Sequence, residues 1–301
     1  GVEQVWYNVL KQFNYSEEEI FDFLPGPAFN AWHMMGNHEG WGGPLTKNIV
    51  DNRSKLGKRI INRMRELEIE PIFISFYGMV PTTLQKKYPD AKIIDQGMWA
   101  GAFHRPSILL AGQPLFDKMA DAYYKEVINL YGNFKYWAGE PFHEGGKRGE
   151  INVSKLAASI LKKMRDFSSD AVWILQGWNR NPSKDFLSSM SKNGDVLIVD
   201  MKGEGSNEWE KSMGYYGYPY LWGVVEDFGG KPGLHGNLER YATEPFRAMN
   251  SVYGANMKGI AVSPESLFNN PVDWDFLFEV VWHSKPVDVS AWVEQYSVYR
   301  Y

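Results

Sequence analysis

Two glutamates, Glu144 and Glu265, each stand just beyond a short apolar run that reads as a buried β-strand. Glu144 closes the stretch Glu140-Pro141-Phe142-His143-Glu144 that follows the run 134–138, and Glu265 follows Gly259-Ile260-Ala261-Val262-Ser263-Pro264. Parallel-barrel enzymes carry their chemistry at the C-terminal ends of strands. A pair of carboxylates is the minimum apparatus for breaking a glycosidic bond, one giving a proton to the leaving oxygen while the other attacks the anomeric carbon or activates water. Phe142 and His143 crowd Glu144, a setting suited to a general acid. Pro264 gives Glu265 a rigid perch suited to a nucleophile.

The other strand ends are similar in kind. Tyr77-Gly78-Met79, Gln176-Gly177-Trp178, Asp200-Met201-Lys202-Gly203-Glu204 and Glu226-Asp227-Phe228-Gly229-Gly230 each follow an apolar run. Acids, amides and indoles gathered this way suit a carbohydrate pocket, with rings to stack on sugar faces and amides to bind hydroxyls. The chain holds 12 Trp, 17 Tyr and 17 Phe, many of which core packing explains. Trp41 and Trp178 lie in Gly-containing loops, where an indole is available to a ligand.

Other chemistries lack their signatures. Gly145-Gly146-Lys147 has neither the spacing nor the Ser/Thr of a phosphate-binding loop. No GxGxxG follows a strand and no GxSxG elbow occurs. His143 with Glu140, Glu144 and Asp200 could compose a metal site, but the six histidines are scattered and HExxH is absent. No metal and no organic cofactor is called for. Cysteine is absent, which removes thiolate chemistry and disulfides. The net charge of −4, without long like-charge runs, argues against a nucleic-acid footprint. No apolar run approaches the length of a transmembrane helix.

Elements to hold these residues alternate along the chain. Strands are expected at 71–76, 134–138, 171–175, 196–200, 219–225 and 259–263, and helices at 2–13, 153–167, 239–249 and 272–283. Further helices carry the stripes Leu56, Ile60, Ile61, Met64, Leu67 and Leu115, Met119, Tyr123, Val127, Tyr131. Ser16 with Glu19 forms a capping box, and Asn152 caps the helix after it. Such alternation predicts parallel βαβ units in one α/β domain. Six strands leave two solutions open: an open doubly wound sheet, or a (β/α)8 barrel whose first two units lie upstream.

With these residues assembled, the chain resembles the α-N-acetylglucosaminidases of glycoside hydrolase family 89. The matching pieces run in order: Leu24-Pro25-Gly26-Pro27-Ala28-Phe29-Asn30-Ala31-Trp32, Gly36-Asn37, Trp41-Gly42-Gly43-Pro44-Leu45 and Phe76-Tyr77-Gly78-Met79-Val80-Pro81. They continue with Pro141-Phe142-His143-Glu144-Gly145-Gly146, Leu175-Gln176-Gly177-Trp178, Asp227-Phe228-Gly229-Gly230 and Pro264-Glu265. The resemblance implies a (β/α)8 TIM-type barrel with its first strands upstream of residue 1, a preceding β domain and a following helical domain, both outside 1–301. It also implies exo-acting removal of terminal α-linked GlcNAc from mucin-type or heparan-type glycans, with anomeric retention through a covalent glycosyl-enzyme.

By position, Glu144 matches the acid/base and Glu265 the nucleophile. Trp32, Asn37, Trp99, His143, Trp178 and Phe228 fall where the family builds its sugar pocket. Retention requires the two carboxyl groups about 5–5.5 Å apart. The His143-containing form suggests a bacterial, secreted or cell-envelope protein. Lys202 and the pair Glu226-Asp227 depart from the family's pattern, and are expected at the pocket rim, where they would alter aglycone preference. A non-hydrolysing carbohydrate-binding scaffold is the alternative to an enzyme, and a metal-dependent hydrolase a third reading.

Overall fold

The computed structural model describes residues 1–230, 236–265 and 269–300. It divides into two compact units, residues 1–174 with 185–190, and residues 175–184 with 191–301.

The first unit opens with helices Val2–Gln12, Glu17–Phe23, Asn30–Met34 and Lys47–Glu66, then strand β1, Ile72–Ile74. Both halves of the expected capping box form, Ser16 accepting from the Glu19 N–H while Glu19 accepts from the Ser16 N–H. After β1 the chain makes an excursion through short strands: β2 (Met79–Val80), β3 (Ile93–Ile94), β4 (Met98–Trp99), β5 (Phe103–His104) and β6 (Ser107–Leu109). β6 pairs antiparallel with both β2 and β3, and β4 with β5 forms a hairpin. Helix Pro114–Tyr131, strand β7 (Tyr136–Ala138), helix Val153–Arg165 and the start of β8 (Val172–Gly177) complete the unit. β1 and β7 are parallel with Ile72 opposite Tyr136, and β7 and β8 are parallel with Tyr136 opposite Val172. Asn152 caps its helix as expected, its side chain accepting from the Lys155 N–H at 2.9 Å.

Aromatic rings fill this core. Trp6, Phe23, Phe76, Tyr123, Tyr124 and Trp137 are fully buried, with Trp6 5.2 Å from Tyr123 and Tyr124 edge-on to Trp137 at 5.0 Å. The expected stripe on Pro114–Tyr131 is buried through Met119, Tyr123, Val127 and Tyr131. The stripe on Lys47–Glu66 behaves differently: only Ile61 is buried, while Leu56, Ile60 and Leu67 are about half exposed. That helix packs inward through Val50 and through the short side of Ser54, whose hydroxyl pairs with Tyr131 Oη at 2.7 Å.

The second unit holds the end of β8 and strands β9 (Val196–Asp200), β10 (Tyr220–Glu226) and β11 (Met257–Pro264). β9 and β10 are parallel with Ile198 opposite Tyr220, and β10 and β11 are parallel, ending with Glu226 opposite Pro264. Helices Glu208–Lys211, Leu238–Met249, Pro271–Val280 and Val289–Arg300 accompany them. Trp209, Tyr220 and Trp222 are its largest fully buried side chains. Gly203 lies flat on the Trp222 indole, where a Cβ would come within 2.6 Å of the ring.

All six expected strands are present, each within a few residues of its predicted bounds. Parallel strands joined through helices are the pattern of βαβ units. Among the described residues no helix is long and apolar enough to cross a membrane.

Candidate active site

The two glutamates fall in different units.

Glu144 stands on the loop after β7, and the base of that loop is pinned from both sides. Ser75 donates its N–H to Ala138 O at 2.7 Å, and the Trp173 indole N–H donates to Gly139 O at 2.9 Å. Gly139 has φ of 93°, and a Cβ there would sit 3.0 Å from the buried Tyr77 ring, so the turn needs glycine on both counts. Phe142 also adopts positive φ, at 65°. Such a conformation in a bulky residue is costly and is held in place by its neighbours. His143 is buried and its Nδ1 lies 3.1 Å from the equally buried Glu140 carboxyl.

The Glu144 carboxyl itself is half-buried. Its Oε2 accepts from the Asn37 amide Nδ2 at 2.5 Å. Asn37 is fully buried, and its other end, Oδ1, accepts from Arg105 Nη1 at 3.1 Å. Arg105 also donates to Gly36 O (3.2 Å) and, through Nη2, to Glu144 O (2.7 Å). Burial pulls the Arg105 guanidinium below its usual pKa, against the Glu144 charge that favours its cationic form.

The turn carrying Asn37 is built on buried histidines. His33 Nδ1 lies 2.8 Å from His38 O, and full burial drives the His33 pKa down to about 3. The Asn37 N–H donates to Trp32 O at 3.0 Å, and the half-buried Trp99 ring lies 6.4 Å from His38 and 5.6 Å from Phe103. The first unit thus holds Trp32, Asn37, Trp99, His143 and Glu144 on three separate segments: the 32–37 turn, β4 and the loop after β7. Arg105 was not among the residues singled out from sequence. Its only signal is a lone cation between Phe103-His104 and the apolar run 106–110.

Glu265 follows the last residue of β11. Its backbone N–H donates to Glu226 O at 3.0 Å, and its Oε2 accepts from the Gly229 N–H. The end of β10 therefore holds the backbone of Glu265, and the turn just after it holds the carboxyl. Trp178 and Phe228 lie 5.7 Å apart, with Phe228 59% exposed, and the Lys202 ammonium sits 4.4 Å over the Trp178 ring. These three residues with Met201, Glu204 and Val225 line a cavity of about 340 Å³. Lys202 belongs to this aromatic site through a cation–π contact.

The acids at the other strand ends have different tasks. Glu226 and Asp227 are buried, not at a rim as expected from the sequence. Glu226 accepts from the Asn270 N–H at 2.6 Å, and burial raises its pKa. Asp200 is fully buried and caps the turn after β9, accepting from the N–H groups of Lys202 (2.9 Å) and Trp209 (3.1 Å). Burial lifts its pKa from 3.8 to about 6 despite these donors. A carboxyl whose folded pKa is raised stabilises the fold fully below its unfolded value and loses that contribution as pH rises through the folded value. The expected result is a loss of roughly 2 kcal/mol between about pH 4 and pH 6. Denaturant unfolding across that range checks it: Asp200→Asn should flatten the slope, and an unchanged slope would dismiss this carboxyl as its source.

Among the described residues no group of three or more Asp, Glu or His is arranged to hold a metal ion.

A family description, the α-N-acetylglucosaminidase (NAGLU) TIM-barrel domain, matches residues 1–284. Human α-N-acetylglucosaminidase is 28% identical over 316 residues, an alignment that takes in all of this chain and 42% of the human protein. A family 89 glycoside hydrolase from Clostridium perfringens, solved with 2-acetamido-1,2-dideoxynojirmycin, is 34% identical with a TM-score of 0.90, covering 98% of this chain and 34% of that one. The same enzyme with two glutamates replaced by glutamine, in complex with its substrate GlcNAc-alpha-1,4-galactose, matches at 33% identity and a TM-score of 0.90, covering 98% of this chain and 33% of that one. The chain spans less than half the length of these relatives.

Proposed function

The chain belongs to the α-N-acetylglucosaminidase family, glycoside hydrolase family 89, as a TIM-barrel portion, and from that premise we propose that it carries the chemistry of a retaining exo-α-N-acetylglucosaminidase. The observation that carries this reading is the matched preparation of two glutamates beyond parallel strands. Glu144 Oε2 is held by a buried amide and Glu265 Oε2 by a backbone N–H.

In this reading Glu144 protonates the glycosidic oxygen while Glu265 attacks the anomeric carbon. The C–O bond to the leaving sugar breaks as the bond to the Glu265 carboxylate forms. Glu144, now a carboxylate, then takes a proton from water, which displaces Glu265 and releases the sugar with its original configuration. Trp178 and Phe228 offer apolar faces for sugar C–H groups, and Trp32 and Trp99 meet the terminal residue. Asn37 and His143, expected from the sequence to bind the sugar, are buried and act through the carboxyls beside them, Glu144 and Glu140. Terminal α-linked GlcNAc is the substrate class, in keeping with the Clostridium relative's complex. Whether the underlying glycan is mucin-type or heparan-type is a property of the aglycone side, to which Lys202 belongs.

The test is the anomer first released. The full-length protein incubated with an aryl α-GlcNAc glycoside and followed by proton NMR should release α-GlcNAc, which then mutarotates. Initial β-GlcNAc would establish inversion and remove Glu265 as nucleophile. Binding of GlcNAc without cleavage would favour the carbohydrate-binding scaffold.

A further inference from the structure

We propose that Arg105 is a positioning residue for the acid–base carboxyl: it fixes which end of the Asn37 amide faces Glu144, and thereby which Glu144 oxygen carries the transferable proton. The proposal rests on Glu144 acting as the general acid.

A primary amide has two ends of nearly equal size, and its hydrogen-bond network decides which end faces which neighbour. A guanidinium has donors only. Arg105 Nη1, 3.1 Å from Asn37 Oδ1, therefore requires the amide oxygen on its own side. The Nδ2 group is left to face Glu144 Oε2, at 2.5 Å. An oxygen that accepts from an N–H is not the one bearing the acidic hydrogen, so the proton to be delivered resides on Oε1. Turned over, Asn37 would present its carbonyl to Glu144. The carboxylic acid would then donate its hydrogen to that carbonyl, and the proton would point into the protein in place of the leaving group.

Three features make Arg105 the element that decides this. Asn37 and Arg105 are both buried, leaving little room for water to replace the guanidinium. The same guanidinium donates to Gly36 O and to Glu144 O, at 3.2 and 2.7 Å, so it ties the backbone of the Asn37 turn to that of the Glu144 loop. Arg105 is itself set by the β4–β5 hairpin, its N–H donating to Gly97 O at 3.0 Å. Lysine cannot substitute: a single ammonium lacks the planar fork that reaches separate acceptors in fixed directions.

The experiment compares kcat/KM of the full-length wild type, Arg105→Met and Arg105→Lys on two α-GlcNAc glycosides. One is the methyl glycoside, whose departure needs a proton. The other is the dinitrophenyl glycoside, whose phenolate leaves without one. Both variants should lose about 30-fold on the methyl glycoside, part of the roughly 10²–10⁴-fold that general acid catalysis contributes. The dinitrophenyl glycoside should change by less than about 3-fold, because this step asks nothing of the acid. Both rates come from one sample, so any unfolded fraction cancels from their ratio. Equal losses on the two substrates would reduce Arg105 to a structural role and overturn the proposal, as would wild-type rates in Arg105→Lys. A wild type that cleaves neither glycoside would overturn the hydrolase reading instead, and this one with it.

Discussion

Glu265→Gln is expected to lower kcat/KM by about 10⁵-fold on α-GlcNAc glycosides, whatever the leaving group, the scale on which enzymes lose turnover when a covalent nucleophile is removed. An amide cannot form the glycosyl ester, so good leaving groups offer no escape. The substitution is conservative for the fold. Glutamine keeps a carbonyl oxygen able to accept from the Gly229 N–H, and the backbone bond from residue 265 to Glu226 O is unaffected. Loss of activity with an unaltered melting temperature and retained affinity for GlcNAc would therefore report chemistry. A loss smaller than about 10-fold would dismiss Glu265 as nucleophile, since that is less than even a single oxyanion-hole donor costs.

The second large effect separates by substrate. Glu144→Ala is expected to cost about 10³-fold on the methyl α-glycoside, within the range for loss of a general acid. On the dinitrophenyl glycoside the first step should survive, and the covalent intermediate should accumulate because no base remains to activate water. Azide then becomes diagnostic. It is nucleophilic without a base and can occupy the space vacated beside Asn37. It should restore turnover and yield the α-glycosyl azide, with retained configuration. A β-azide, or no restoration together with equal losses on both glycosides, would remove Glu144 from the acid/base role. The two variants thus fail in different ways, one for all leaving groups and one only where a proton or base is needed.

Much of the framework was legible from local pattern. Short apolar runs marked all six parallel strands, the signal of strands with two apolar faces, although β1 and β11 hold no buried residue. Ser16 and Asn152 announced their helices because capping depends only on residues three positions away. The small antiparallel excursion between β1 and β7 escaped notice, as its strands are two or three residues long and carry no periodicity. The stripe at Leu56, Ile60 and Leu67 misled for a related reason: period 3.6 shows that a helix has an apolar face, and says nothing of what covers it. Glu226 and Asp227 misled by composition, acids near a strand end being as able to cap buried backbone as to face a ligand.

The sequence by itself determined the identity and strand-end placement of Glu144 and Glu265, the aromatic character of their surroundings, and the ordered motifs of the family. These are properties of residue type and near-neighbour spacing. Only the tertiary structure decided how the Glu144 carboxyl is held. Asn37 lies 107 positions from Glu144 and 68 from Arg105, and Arg105 lies 39 from Glu144. Hydrogen bonds are short and directional, so a relay among three such distant residues exists only once the chain has folded them within about 3 Å of one another.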